Sequence, residues 1–301
     1  MNIPNVTVIV PVYNRQEELR RALASVKNQS YTNFECIVVD DCSTVPIAAI
    51  VTEMADNRFV YARNYKNGGP YNARFFGYKM MKGDFLIHLD SDDQLYPWAL
   101  TQAVYYLDKN KDVDAVAGMN LRDNDSTLFA RVRDGERVVT PKDYLQMEQT
   151  CDCVGVVRKK VVEEWLLKRD DYYAMEFHQW FTFGLKHNQL YVDEPWAKCY
   201  VDGQDRVSNT NKYRHSEDSM KFLEEHDTYI RKIDAPVLAR MLFHMWVQMV
   251  RNGRRNDRKI IEEYLSAKKI PLWGMVIKKV YNKILCLFRQ KKDTRNDVQY
   301  I

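Results

Sequence analysis

The feature that most restricts this chain is a short apolar run that ends in acids: Phe85-Leu86-Ile87-His88-Leu89-Asp90-Ser91-Asp92-Asp93. With Gly83-Asp84 before it and three carboxylates after it, a run of this length reads as a buried strand of a parallel sheet. In open α/β sheets, ligands bind just beyond the carboxyl ends of the strands. The strand therefore delivers Asp90, Asp92 and Asp93 to a ligand site. Crowded carboxylates repel one another. A hard divalent cation relieves that repulsion and keeps positions open for water and substrate phosphates. A metal-bound nucleotide diphosphate suits such a point. An isolated D-x-D also occurs in solvated acidic loops, so the motif needs support from the rest of the chain.

The neighbouring segments supply it. Val6-Thr7-Val8-Ile9-Val10 is a β-branched strand ended by Pro11. Cys36-Ile37-Val38-Val39 is a second strand, also tipped with acids, Asp40 and Asp41. Between them, Asn14 with Glu17 predicts a capping-box start for a helix whose apolar face is Leu19, Ala22, Leu23 and Val26. A helix over 46–55 and a strand over 59–62 follow. Asn67-Gly68-Gly69-Pro70 predicts a tight turn, with Pro70 opening a helix that carries Asn72, Ala73, Arg74 and Gly77 and ends near Gly83. Pro97 starts a helix to about Asn110, and Asp93 is a candidate cap for it. Asp114–Gly118 reads as a strand and the alternating stretch 120–140 as an antiparallel hairpin. Val154–Val157 and Leu190–Val192 read as strands, Val161–Leu167 and Tyr172–Lys186 as helices.

This alternation predicts an α/β fold, a Rossmann-like, mostly parallel sheet flanked by helices, with a helical C-terminal extension. The first strand does not open into G-x-G-x-x-G, and no G-x-x-x-x-G-K-[ST] occurs, which argues against a dinucleotide dehydrogenase and a P-loop NTPase. The six cysteines form no C-x-x-C pair and read as reduced thiols of a cytoplasmic protein. The N-terminus has no basic and apolar leader pattern, and no stretch is apolar enough to span a bilayer.

Charge is distributed unevenly. Residues 268–301 hold nine Lys/Arg against two Asp/Glu, and the rest of the chain 36 against 39. The basicity thus belongs to the tail and does not mark a nucleic-acid binder. Over 271–292, Leu272, Trp273, Val276, Ile277, Val280, Ile284, Leu287 and Phe288 alternate with Lys278, Lys279, Lys283 and Arg289. Such a basic amphipathic helix suits peripheral contact with an anionic cytoplasmic membrane face, or docking on the body with a solvated basic edge.

Four segments in register carry a family resemblance: Val8-Ile9-Val10-Pro11-Val12-Tyr13-Asn14-Arg15, Val38-Val39-Asp40-Asp41-Cys42-Ser43, Asn67-Gly68-Gly69-Pro70-Tyr71-Asn72-Ala73-Arg74 and Asp90-Ser91-Asp92-Asp93. The chain resembles glycosyltransferase family 2, of the GT-A fold, over roughly residues 4–210. The resemblance implies a transferase domain over 1–215, with a nucleotide-sugar half (1–118) and an acceptor half (119–215), followed by the extension 216–301. It implies that Pro11, Tyr13 and Asp41 hold base and ribose, with Asp41 able to accept from a uracil imide N–H. Asn67, Gly68 and Arg74 line the same pocket, and Asn14, Arg15, Ser91 and Arg206 complete the donor-side set. Asp92, with Asp90, would ligate Mn²⁺ or Mg²⁺. Glu176 falls in the register of the catalytic base, although Met175 stands where the family has an acid and Glu replaces the usual Asp. The implied activity is inverting, metal-dependent transfer from a nucleotide sugar, with UDP as the expected carrier, to a glycan or lipid-linked acceptor. A catalytically degenerate carbohydrate- or membrane-binding module on the same fold is the alternative. A nucleotidyltransferase would need a Gly-rich, basic loop after the first strand, where this chain has Pro11-Val12-Tyr13-Asn14-Arg15.

Overall fold

The computed structural model describes residues 5–141 except 125, 129 and 133, then Asp143, 153–166, 183–184, 186–200, Thr228, Ser266 and Gln299–Tyr300. The chain divides into two compact units. The first comprises Met1–Pro141, Gln149–Asp202 and Val298–Ile301; the second comprises Lys142–Glu148 and Gly203–Asp297. Almost all described residues belong to the first.

That unit is built on a nine-stranded sheet. In chain order its first half contains β1 (Val6–Val12), α1 (Gln16–Lys27), β2 (Phe34–Asp40), α2 (Ile47–Glu53), β3 (Phe59–Arg63), α3 (Pro70–Tyr78), β4 (Phe85–His88), β5 (Gln94–Leu95) and α4 (Ala99–Lys109). The second half contains β6 (Ala115–Arg122), β7 (Ala130–Arg131), β8 (Glu136–Val139), β9 (Cys153–Arg158), a short α5 (Lys159–Val161) running into a π turn (Val162–Leu166), β10 (Gln189–Cys199) and β11 (Gln299–Tyr300). The strand order is β3-β2-β1-β4-β9-β6-β10-β5, with β8 on β10. From β3 to β4 every pairing is parallel. β9 then inserts antiparallel between β4 and β6, and β10 returns parallel to β6.

The strands form where β-branched residues run together. β1 and β2 are buried at every position, the signature of strands covered on both faces. Val6, Val8 and Val10 pack with Leu19, Leu23 and Val26 of α1 in one cluster. Ile9, Ile37, Val39 and Leu86 point the other way, toward Ala73 and Tyr78 of α3. There α3 lies so close to the sheet that a Cβ on Gly77 would come within 2.9 Å of Ile9.

Several local expectations need correction. Asn14 does not cap α1: it is left-handed (φ 54°), and its Oδ1 accepts from Thr44 instead. Arg15 occupies the cap position, without a side-chain cap bond. α3 ends at Tyr78, five residues before Gly83, where Lys79 and Met80 form a turn closed by the Met80 N–H on the Gly77 carbonyl. The hairpin expected over 120–140 is met only by an antiparallel bridge between Leu121 and Leu128; β8 pairs with β10, and β7 pairs with β11 in a separate two-stranded sheet. Where a helix is expected over Val161–Leu167, Val161 closes a short helical turn and Val162–Leu166 continue it in π geometry; Leu167 lies outside the described residues. The described cysteines, Cys36, Cys42, Cys153 and Cys199, are free thiols. Among the described residues, no helix is long and apolar enough to cross a membrane. The helix expected over Tyr172–Lys186, apart from its last turn, and the amphipathic segment 271–292 lie outside the described residues.

Candidate active site

The parallel register brings three strand ends together. Val12 of β1 stands opposite Asp40 of β2, and Ile9 opposite His88 of β4. Beyond them the β4–β5 turn presents the acids. One oxygen each from Asp90, Asp92 and Asp93 lies within 4.8 Å of the others, a donor set of hard oxygens at the spacing a divalent cation uses.

Two arginines from separate elements meet this cluster. Arg15, at the start of α1, pairs with Asp92 at 2.7 Å, both side chains 17% exposed. Arg74 of α3, almost fully buried, pairs with the half-exposed Asp90 at 2.5 Å. Desolvation pulls the Asp90 carboxyl up, but the Arg74 guanidinium more than offsets it and holds the group below the usual carboxylate range. His88, its ring tilted against Tyr78, goes the other way: burial, then the charge of Arg74, lowers it to about 3. The imidazole stays neutral, and the arginines carry the positive charge. Asp93 is pushed up to about 7 by burial and then by Asp90.

Asp93 is not the cap of α4. Its carboxylate accepts from the Cys199 thiol at 3.1 Å and the Tyr200 N–H at 3.3 Å. Trp98 takes the cap position, without a side-chain cap bond.

The two acids at the end of β2 hold loops. Asp40, fully buried, accepts from Ser43 N–H (2.8 Å), Tyr61 Oη (2.8 Å) and Arg63 (2.7 Å). Asp41 accepts from Asn64 Nδ2 (2.7 Å), from Gly68 N–H on both oxygens (3.1 and 3.0 Å) and from Gly69 N–H (2.6 Å). Those bonds fold the 64–69 loop around a carboxylate. Gly69 takes φ +85° there, where a side chain would be strained. A uracil N–H reaching Asp41 would share an oxygen with Asn64 or the glycine amides.

The structure thus gathers Arg15, Asp92, Arg74 and Asp90 into one cluster, and Asp41 with Gly68 into another. Tyr13 is 43% exposed on the loop after β1, while Pro11 and Ser91 are buried. Asn67 is exposed, its Oδ1 accepting from Gly69 N–H. Glu176 and Arg206 lie outside the described residues. Sequence reading missed three residues of this region. Asn64 shares Asp41 with the glycine loop, a role its position after β3 would have suggested. Arg21 of α1 donates to the Asp92 carbonyl at 3.0 Å and covers the Tyr200 ring at 3.6 Å. These contacts join residues 71 and 179 positions apart, and no local pattern announces them.

The acid-tipped central strand and the glycine-rich loop held by a second acid thus lie together at the carboxyl end of the parallel strands, where open α/β sheets bind ligands. Residues 7–166 match the profile described as Glycosyl transferase family 2, and the chain belongs to that family. A relative named GalNAc(5)-diNAcBac-PP-undecaprenol beta-1,3-glucosyltransferase, from Campylobacter jejuni, is 28% identical over 227 residues, 70% of this chain and 71% of its own length. Among solved structures, S. aureus TarS 1-349 in complex with UDP-GlcNAc has a TM-score of 0.63 at 22% identity, covering 79% of this chain and 71% of that one. The mannosyltransferase PcManGT from Pyrobaculum calidifontis, in complex with GDP-Man and Mn²⁺, has a TM-score of 0.55 at 16% identity, covering 95% and 81%. The protein is a glycosyltransferase.

Proposed function

We propose that this glycosyltransferase is inverting and metal-dependent, and that it moves a sugar from a UDP-sugar to a glycan or lipid-linked acceptor. The observation that carries the reading is the pair Asp90 and Asp92, held in an acidic cluster whose carboxylate oxygens lie within 4.8 Å of one another at the end of β4. Their all-oxygen chemistry fits Mn²⁺ or Mg²⁺. Asp92 and Asp90 would hold the ion, which supplies Lewis-acid neutralisation of the diphosphate leaving group.

The chain's own groups do the rest. The 64–69 loop, drawn in by Asp41, offers backbone to the nucleotide, with Tyr13 as the aromatic neighbour for the base. Arg15 and Arg74 stay beside the acids and limit the negative charge a diphosphate meets. Glu176 takes the proton from the acceptor hydroxyl as that oxygen bonds to the anomeric carbon. The bond from that carbon to the diphosphate oxygen breaks, and its electron pair leaves on the nucleotide. Attack from the face opposite the leaving group inverts the centre. Asn14, Asn67, Gly68, Ser91, Pro11 and Arg206 are assigned to the donor side.

Nucleotide release from a panel of UDP-, GDP- and CDP-sugars, with and without Mn²⁺, tests this reading; Mn²⁺-dependent release of UDP is expected. The lipid-linked acceptor draws support from the undecaprenol in the Campylobacter relative's name and from the basic 271–292 segment, which we assign to peripheral membrane contact. The full chain should co-sediment with anionic vesicles at low salt and lose most of that binding near 0.5 M NaCl. Equal binding to neutral vesicles would remove the electrostatic assignment.

A further inference from the structure

Asp93 is oriented differently from the two acids before it. Asp90 and Asp92 face guanidinium groups, whereas Asp93 faces the end of β10. Its two oxygens take the Cys199 thiol and the Tyr200 N–H. The bonds extend the pairing of β5 with β10, where Leu95 stands opposite Ala197 and Gln94 opposite Lys198. Tyr200 then acts as a hub. Its hydroxyl meets Gln94 Oε1 at 2.5 Å, and its ring lies under the Arg21 guanidinium. Arg21 in turn donates to the main-chain carbonyl of Asp92. The turn closes on itself through Asp93 N–H to the Asp90 carbonyl at 3.0 Å. The peptide bearing Asp90 and Asp92 is thus pinned from α1, from β5 and from the end of β10.

We propose that Asp93 is a positioning residue: it ties the Asp90–Asp92 turn to Cys199 and Tyr200 so that the other two carboxylates converge on one cation, and it is not a third metal ligand. Turning Asp93 toward a cation would break its bonds with the Tyr200 N–H and the Cys199 thiol, and with them the tie to the end of β10. Asp90 and Asp92 are tied instead to side chains, Arg74 and Arg15, which stand beside the same cluster. The inference rests on the proposed metal site.

The test is titration of UDP, with and without Mn²⁺, into four variants of the full chain: Asp93→Asn, Asp93→Ala, Tyr200→Phe and Asp92→Asn. Positioning predicts that Asp93→Asn, which keeps one acceptor oxygen, retains Mn²⁺-supported UDP affinity within about threefold. Asp93→Ala should weaken it about tenfold and leave metal-free UDP binding unchanged, since both ties to the end of β10 are lost. Tyr200→Phe touches no carboxylate, and should still weaken Mn²⁺-supported binding by about threefold through the lost tie to Gln94. It carries the test if Asp93→Ala does not fold. Asp93→Asn as damaging as Asp92→Asn would make Asp93 a ligand and overturn the proposal. Wild-type values for both Asp93→Ala and Tyr200→Phe would overturn it too, by showing that the tie positions nothing. If Asp92→Asn itself left Mn²⁺-supported binding intact, the metal site would fall, and this inference with it.

Discussion

Asp92→Asn lowers kcat/KM for the sugar donor by about two to three orders of magnitude while leaving the fold intact. The size follows from the proposed role. A cation at a departing diphosphate is worth several kcal/mol of transition-state stabilisation, and each 1.36 kcal/mol is a factor of ten. Asn keeps the shape and one oxygen but removes the charge that binds the ion. Structurally, the change removes the Arg15–Asp92 ion pair. That pair is only 17% exposed on either side, yet Arg15 still reaches solvent, so the melting temperature should fall by no more than a few degrees. Steady-state kinetics at several Mn²⁺ concentrations, beside a thermal melt, separate the two effects. If excess Mn²⁺ restores the rate in part, affinity for the ion was lost; a full wild-type rate at all concentrations would remove Asp92 from the site.

Glu176→Gln should abolish transfer with donor binding unchanged. Removing a positioned general base costs about 10²- to 10⁴-fold in rate. The loss belongs in kcat, because the base acts on the acceptor hydroxyl only as the transition state forms. The residue is assigned from its register with Phe177 and Trp180, so this mutant is the direct check on that register. A variant with normal turnover would move the base to another acid. A variant that lost UDP binding would instead place Glu176 on the donor side.

The first half of the fold was legible because its signals are local. β1, β2 and β4 are mainly apolar runs, with Asp40-Asp41 at the end of β2 and Asp90 just past β4, although β1 continues through Pro11, the expected end, to Val12. The turn before α3 was legible for the same reason: Gly69 needs a left-handed backbone and Pro70 a helix start. Asn14 misled because Asn-x-x-Glu is a capping pattern in isolation. The left-handed conformation of Asn14 serves Thr44, thirty residues on, and only the folded loop decides between the two. The second half was harder to read because its pairings are long-range. The direction of β9 depends on which strands it enters between, and β8 found β10, fifty-odd residues on, not its sequence neighbour.

The site divides along the same line. The acids of β4 and the glycine loop carry their chemistry in adjacent letters. That Asp41 is committed to Asn64, Gly68 and Gly69, or that Asp93 answers to Cys199 and Tyr200, is a property of packing. The sequence reading sent Asp41 to the base and ribose and Asp90 with Asp92 to the metal, and offered Asp93 as a helix cap. The fold separates the acids into two that face arginines at the cluster and three, Asp40, Asp41 and Asp93, whose oxygens hold neighbouring chain in place.

The measurement closest to the central claim is nucleotide release from the UDP-, GDP- and CDP-sugar panel with the full chain, run with Mn²⁺ and again with EDTA. The account predicts release of UDP from a UDP-sugar with Mn²⁺, reduced at least about a hundredfold by EDTA, and little release from the other two carriers. Equal release with and without the metal, or no release from any donor, would contradict it.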